Sequence, residues 1–483
     1  MISFIRNSNQ FLIASVLFIA CLIIAIFNNN YLWLSIPFCF VLFPAVFKFT
    51  VSYTEQLFWL ALFFLPLSTE MNVTNSLGLD FPDEPLLMII TGCAILKFIY
   101  HPFLFPKYLL KNSLFLIIIL HLCWIVVCCF FSVDLILSIK YFLAKIWYII
   151  PFVVLPQLFI HSQSKMKDLA LYLLIPMLIV VIQSLIRHSF FYFSFEGIKE
   201  VLDPFFRNHV NISAMLICLL LVGWIVKRLT PISKPAYKWI IIGLMMGLIG
   251  LLLSYSRGAW LALIVGILTS FLIKRKLLIK SLVLIGLLSA LSFLFLFWNK
   301  NYLRFTPDFT HTIFHTDFSE HLKATVNLKD VSDAERFYRW VAAKNMIAAK
   351  PVTGFGPNNF YNNYKPYAEN IFKTWVSKNE DHSSVHNYFL LTALEQGIVG
   401  VVIFLILFIS LLINAQQLYH QLQNEFYRNI ALAAGVVIVM IGIVNLLSDL
   451  IETDKIGSLF WLSVGMILLL QEKLKQEKQS IAL

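Results

Sequence analysis

Charge is scarce in this sequence. Only 13% of its 483 residues are Asp, Glu, Lys or Arg, against about 25% in an ordinary soluble domain. Ten-residue stretches of alternating apolar and polar residues do not recur, which excludes a transmembrane barrel. The seven cysteines include no Cys-x-x-Cys pair, so a metal or dithiol centre of that kind is not encoded and a disulfide framework is not expected. Cys21, Cys39, Cys93, Cys123, Cys128, Cys129 and Cys218 all lie in apolar runs and read as small buried hydrophobes. Asp-x-Asp is absent, which removes support for a metal-dependent sugar-nucleotide transferase, and neither a P-loop nor Gly-x-Ser-x-Gly occurs.

Apolar residues dominate instead, at 59% of the chain. Runs long enough to cross a bilayer recur along most of its length. Lipid offers backbone N–H and C=O groups no partner, so such runs must be helices. The expected fold is an all-α polytopic membrane protein of about 12–14 transmembrane helices. Candidate spans lie near 11–28, 31–48, 55–68, 85–100, 113–131, 141–160, 168–187, 210–226, 238–254, 258–273, 278–298, 386–413, 429–448 and 457–471. The sequence divides into N-terminal spans over 1–298, one large loop over 299–385, and C-terminal spans over 386–472. The span at 55–68 is short and rests on hairpin geometry as much as on hydropathy.

The formal charge is +11, and its distribution carries the meaning. Lys227–Arg228, Lys274–Arg275–Lys276 and Lys473, Lys475 and Lys478 fall between or after spans on one side. The positive-inside rule then places both termini in the cytoplasm and the 299–385 loop outside. No basic, aromatic surface domain accompanies these charges, so nucleic acid is not an expected partner. The N-terminal segment MISFIRNSNQ shows no cleavage-site pattern, and the run after it reads as a retained first helix.

Within the loop, Ser332 followed by Glu335 forms a capping box that predicts a helix over 333–349, stopped by Pro351. Gly354 and Gly356 supply a flexible turn after it. The stretch 361–384 reads as irregular and aromatic-rich.

Three polar fragments stand out: SYSRGAW at 254–260, SDAERFYRW at 332–340 and SSVHNYFLLTALEQG at 383–397. Arg257 sits in a tight turn between two strong spans. It is either an interfacial anchor or, beside Gly258 and a helix start, part of a phosphate cradle. Arg336 lies in the expected first turn of the loop helix, with Trp340 four residues on and Arg339 adjacent. It is either a surface arginine paired with Asp333 or Glu335, or an anion ligand. His386 opens a long apolar run, as a boundary residue or as a proton acceptor near neutral pH. Glu395, further into that run, needs a partner or a protein-lined cavity. Asp381 and His382 could join His386 in a metal site, although no further ligand is evident. Arg207, Lys140, Lys145, Glu452, Asp454, Asp80, Asp83 and Glu84 are weaker candidates and read as solvated loop or span-edge residues.

Taken in order, SRGAW at 256–260, Arg336-x-x-x-Trp340 leading to KPVTGFGPNNF, and HNYFLLTALEQG at 386–397 resemble the O-antigen ligase superfamily, over about 240–410. That superfamily also includes O-antigen polymerases and bacterial O-oligosaccharyltransferases. The resemblance implies a GT-C-like, metal-independent, inverting glycosyltransferase without a cofactor. It implies a donor glycan on undecaprenyl diphosphate, a lipid A–core or glycan acceptor, and a periplasmic site on the bacterial inner membrane among membrane lipids. By motif, Arg257 and Arg336 would bind the donor diphosphate and His386 would activate the acceptor hydroxyl. Arg207, Arg339, Trp340 and Glu395 would line the substrate site. A polymerase acting on the same donor, and a transporter of the lipid-linked glycan, remain the alternative readings.

Overall fold

The computed structural model describes residues 16, 18–21, 52–74, 77–298, 331–372, 377, 379 and 383–482. The expected spans near 11–28 and 31–48 lie almost wholly outside the described residues. So do Asp381 and His382.

The rest is a helical bundle with one small hairpin. Its helices are α1 (Thr54–Phe64), α2 (Asp83–Tyr100), α3 (Ser113–Phe130), α4 (Leu135–Ile149), α5 (Gln163–Ser189), α6 (His209–Leu229), α7 (Ala236–Leu253), α8 (Arg257–Lys274) and α9 (Leu278–Phe297). They continue as α10 (Val331–Ala349), α11 (Tyr388–Gln421), α12 (Glu425–Val444) and α13 (Asp454–Ala482). Among the described residues, nine helical segments are long and apolar enough to cross a membrane. The segments at 55–68, 85–100 and 278–298 are helical but fall short of that count: α1 has only 11 residues, α2 carries Asp83, Glu84 and Lys97, and the apolar stretch of α9 counts only as the shorter Leu278–Ser292.

Two departures from the sequence reading concern secondary structure. The chain between α1 and α2 forms an antiparallel hairpin, β1 (Thr69–Thr74) with β2 (Leu77–Phe81), where no strand is expected. The loop helix α10 is already formed at Val331, so Ser332 lies inside it and is not its cap. Arg336 therefore sits beyond the first turn and not within it. The helix does stop at Ala349, ahead of Pro351.

Short connections make sequential helices antiparallel, and cross-bundle bonds show which ends meet. At one end, Tyr388 N–H donates to the carbonyls of Asn445 and Ser448, Lys145 reaches Glu452, and Lys455 donates to the carbonyls of Ser68 and Phe205. At the other, Asn112 donates to Gln471 and His420 faces the Ile273 carbonyl. The His386 end thus gathers the starts of α4, α6, α8, α11 and α13. Apolar burial fixes the centre: 94% of the spanning window of α13 is buried, against 11% for α7. Trp461, Phe460, Phe404 and Phe152 are fully enclosed there. A second core joins α10 to Phe355, Phe360, Tyr364, Val385 and Leu394, with Phe360 stacked on Tyr364 at 4.8 Å. Of the described cysteines, Cys123 departs from the expected burial and is exposed, while Cys21, Cys93, Cys128, Cys129 and Cys218 are buried; all six are free.

Candidate functional site

The chain after α10 does not hang free. It docks backbone-to-backbone into a break in α11. Gly397 has φ 72° and ψ 178°, outside the helical region, and this frees the carbonyls before it. Ile398 N–H, which a regular helix would give to Leu394, donates instead to the Pro351 carbonyl at 2.8 Å. The Leu394 carbonyl accepts from Phe355 N–H and the Glu395 carbonyl from Gly356 N–H, both at 2.9 Å. The Gln396 carbonyl accepts from Trp124 Nε1 at 2.9 Å. Each orphan created by the kink is satisfied by another element, as buried backbone requires. The Glu395 carboxylate completes the joint by accepting from Asn358 and Phe360 N–H at 2.8 and 3.2 Å. Asn359 ties the same strap to the α3–α4 turn through Ser132, Ser138 and Asp134. The fragments TGFGPNN and LEQG, read separately in the sequence, are two halves of one joint.

That joint sets α10 over the segment leading into α11. The Arg339 guanidinium donates to the Ser384 carbonyl at 2.9 Å and pairs with Glu335 at 3.4 Å. Glu335 also accepts from Ser377 Oγ at 2.5 Å. Trp340 Nε1 donates to the Val385 carbonyl at 3.1 Å. Arg339 is buried, and burial pulls its pKa down while Glu335 opposes the shift.

His386 follows directly. It precedes the helix rather than opening it, because Asn387 is the cap of α11 and accepts from Leu390 N–H. Its φ of 54° turns the side chain out of the helical path, and its own N–H donates to Ser384 Oγ at 3.1 Å. On the far side, Asn387 Nδ2 donates to the Leu446 carbonyl. His386 Nδ1 stands 3.9 Å from Asp449 Oδ1, too long for a hydrogen bond. Burial, then Arg339 and Arg336, push the imidazole pKa down to about 3. Burial also raises the Asp449 carboxyl above its ordinary range. The helix carrying both arginines is thus within electrostatic reach of the histidine.

Beside Asp449, Glu452 is held by Lys145 Nζ at 2.7 and 2.8 Å and by the Tyr141 hydroxyl at 2.9 Å. Lys145 is only 2% exposed. The expectation that Lys145, Glu452, Asp454 and Asp83 are solvated is therefore corrected. Asp83 and Asp454 are buried too, with Asp454 against Ser68 and Lys455 reaching across the same turn. Glu452 and Asp454 face different partners. Asp449 was not singled out from the sequence at all.

Arg257 begins α8 at this same end. Ser256 precedes it in extended conformation and gives the helix no side-chain cap, and the turn is pinned by Trp260 Nε1 on the Leu251 carbonyl. That turn places Arg257, and the bonds to Ser384 and Val385 place Arg339 and Trp340. Arg207 is exposed in the loop before α6, 3.6 Å from Glu70 of the hairpin. Glu395 serves the joint through its two amide contacts.

An all-α polytopic membrane protein with basic and imidazole groups gathered at one end is the class these features define. Residues 242–405, about a third of the chain, match the family model described as O-antigen ligase. The matched stretch runs from within α7 to the middle of α11. It includes Arg257, Arg336, Arg339, Trp340, His386 and Glu395, and it excludes Lys145, Asp449 and Glu452. Members of this family are glycosyltransferase-like enzymes. No curated protein matches the chain.

Proposed function

We propose that this protein transfers a glycan from undecaprenyl diphosphate to a lipid A–core acceptor at the periplasmic face of the inner membrane. The single observation that carries the reading is the placement of His386, 3.9 Å from Asp449 and directly after the Ser384–Val385 backbone that Arg339 and Trp340 of α10 bind. In this reading the acceptor hydroxyl oxygen attacks the anomeric carbon and its proton passes to His386. The bond from that carbon to the diphosphate oxygen breaks, and the diphosphate leaves with the electron pair. Charge grows on the leaving group as the bond opens, and Arg257 and Arg336 stabilise it without a metal. Asp449, facing Nδ1, leaves Nε2 to the substrate and stabilises the imidazolium once it forms. Inversion follows from the single displacement. The basic-residue bias supports a cytoplasmic position for both termini.

Polyacrylamide gels of lipopolysaccharide from a deletion strain test this. A ligase predicts core without long glycan and accumulation of lipid-linked polymer. A single-repeat ladder would assign a polymerase. Purified protein that moves the lipid-linked glycan across vesicles without forming a new glycosidic bond would assign a transporter.

The arginines have their own expected outcome. Arg257→Ala should lower kcat by about 10²–10³-fold, the usual loss for one positioned donor to developing charge. Arg336→Lys should also fall well below wild type, because lysine keeps the charge and loses the planar fork. Single-turnover transfer with membrane-inserted protein checks both; wild-type rates would remove these residues from the donor site.

A further inference from the structure

At the end of the bundle opposite His386 lies a cleft of about 480 Å³ among α5, α6, α7, α12 and α13. Its volume falls within the range of about 300–1,000 Å³ usual for small-molecule sites. Its walls are apolar, with Ala170, Leu173, Leu219, Val437 and Met466 among them.

The rim is different in character. Lys167 and Lys234 both line the cleft, and both are exposed. Lys167 Nζ stands 5.6 Å from the Phe426 ring centroid. Lys227 stands 4.6 Å over Trp224 and 5.9 Å from Tyr237, and Lys238 lies in the first turn of α7. The opposing acids nearby are Asp168, next to Lys167, and Glu425, which Arg228 already engages at 3.4 Å. The mouth is therefore net positive, next to an apolar interior. Aromatic rings beneath ammonium groups also mark the level of a membrane interface.

We infer that this cleft is a binding site for an anionic glycerophospholipid. One acyl chain fills the apolar space between α5, α6 and α12, and the phosphate lies between Lys167 and Lys234. The separate tail and headgroup elements are what such a lipid needs, and juxtamembrane lysines select anionic headgroups. The site is remote from the proposed transfer chemistry and does not depend on it. Its expected effect is on retention of the lipid and on stability of the bundle, since a ligand bound only by the folded state stabilises it.

Native mass spectrometry of the full chain in detergent, with phosphatidylglycerol or phosphatidylcholine added at equal concentration, tests this. Wild type should retain phosphatidylglycerol on the order of tenfold better and show a higher thermal midpoint with it. The Lys167→Ala, Lys234→Ala double variant should lose that preference; both lysines are exposed, so the change leaves packing intact. Ala170→Phe, which fills the cleft, should lower retention of both lipids. Equal retention of the two lipids by wild type would overturn the proposal, and that comparison needs no variant. So would a preference that survives the double substitution, or displacement of phosphatidylglycerol by equimolar undecaprenyl phosphate, which would assign the cleft to a polyisoprenoid chain.

Discussion

Replacing His386 by asparagine should lower glycan transfer by about 10²–10⁴-fold, the range for loss of a positioned general base. Asparagine is the informative substitution because His386 has φ 54°, a conformation that asparagine tolerates and most residues do not. The cap of α11 is Asn387 and remains, so the helix start should be preserved. A pH series sharpens the test. With its pKa near 3, the imidazole is neutral in the free protein across pH 5–8. The kcat/KM profile should then show no His386 inflection near 6.5. Donor diphosphate would offset the Arg336 and Arg339 charges that help hold the pKa down. The acid limb of kcat should accordingly sit at higher pH than that of kcat/KM. Stability runs in a definite direction too. Between about 6.5 and 3 the unfolded chain binds a proton that the folded one does not, so this group lowers stability as pH falls through that window. His386→Asn should flatten that part of the acid melting curve. An unchanged transfer rate in the variant would remove the proton-acceptor role.

How far the sequence discloses this site follows from what each signal measures. Apolar runs report helices directly, which is why the spans from Ser113 to Lys274 and from Tyr388 onward are legible. The hairpin at Thr69–Phe81 was missed because two short strands carry little periodicity. Lys145 was readable in principle. A span beginning near 141 makes Lys145 an edge residue; α4 begins at Leu135 and puts it about three turns inside. An intramembrane lysine is by default a paired residue, and its partner is Glu452. Asp449 carried no such signal, since its role depends on which helix ends adjoin. The motif residues Arg336, Arg339, Trp340 and His386 could be picked out, whereas the bonds of Arg339 and Trp340 to the backbone of 384–385 could not.

The kink in α11 should be intolerant of any side chain at 397, and the expected loss there is structural before it is chemical. Gly397 lies at φ 72°, ψ 178°, a region populated almost only by glycine and costing of order 1–3 kcal/mol for other residues. A Cβ at 397 would also stand 1.8 Å from the Val352 carbonyl oxygen, a backbone atom that cannot swing aside. Alanine must therefore either straighten α11 or expel the strap. Straightening returns Ile398 N–H to Leu394 and leaves Phe355 N–H without its acceptor; expulsion breaks the bonds at Pro351, Leu394 and Glu395 together. Either route frees α10, because the strap and α10 share the core of Tyr338, Phe355, Phe360 and Leu394. Arg336, Arg339 and Trp340 then lose their fixed relation to His386. Gly397→Ala should therefore abolish transfer without touching a charged group, and limited proteolysis should cut within 351–360 in the variant but not in wild type. Gly354→Ala should act alike, since its Cβ would meet the Leu394 oxygen at 2.5 Å from the other side of the same joint. Wild-type protease resistance together with wild-type activity in Gly397→Ala would show that the arginine helix is held over His386 by something other than this kink.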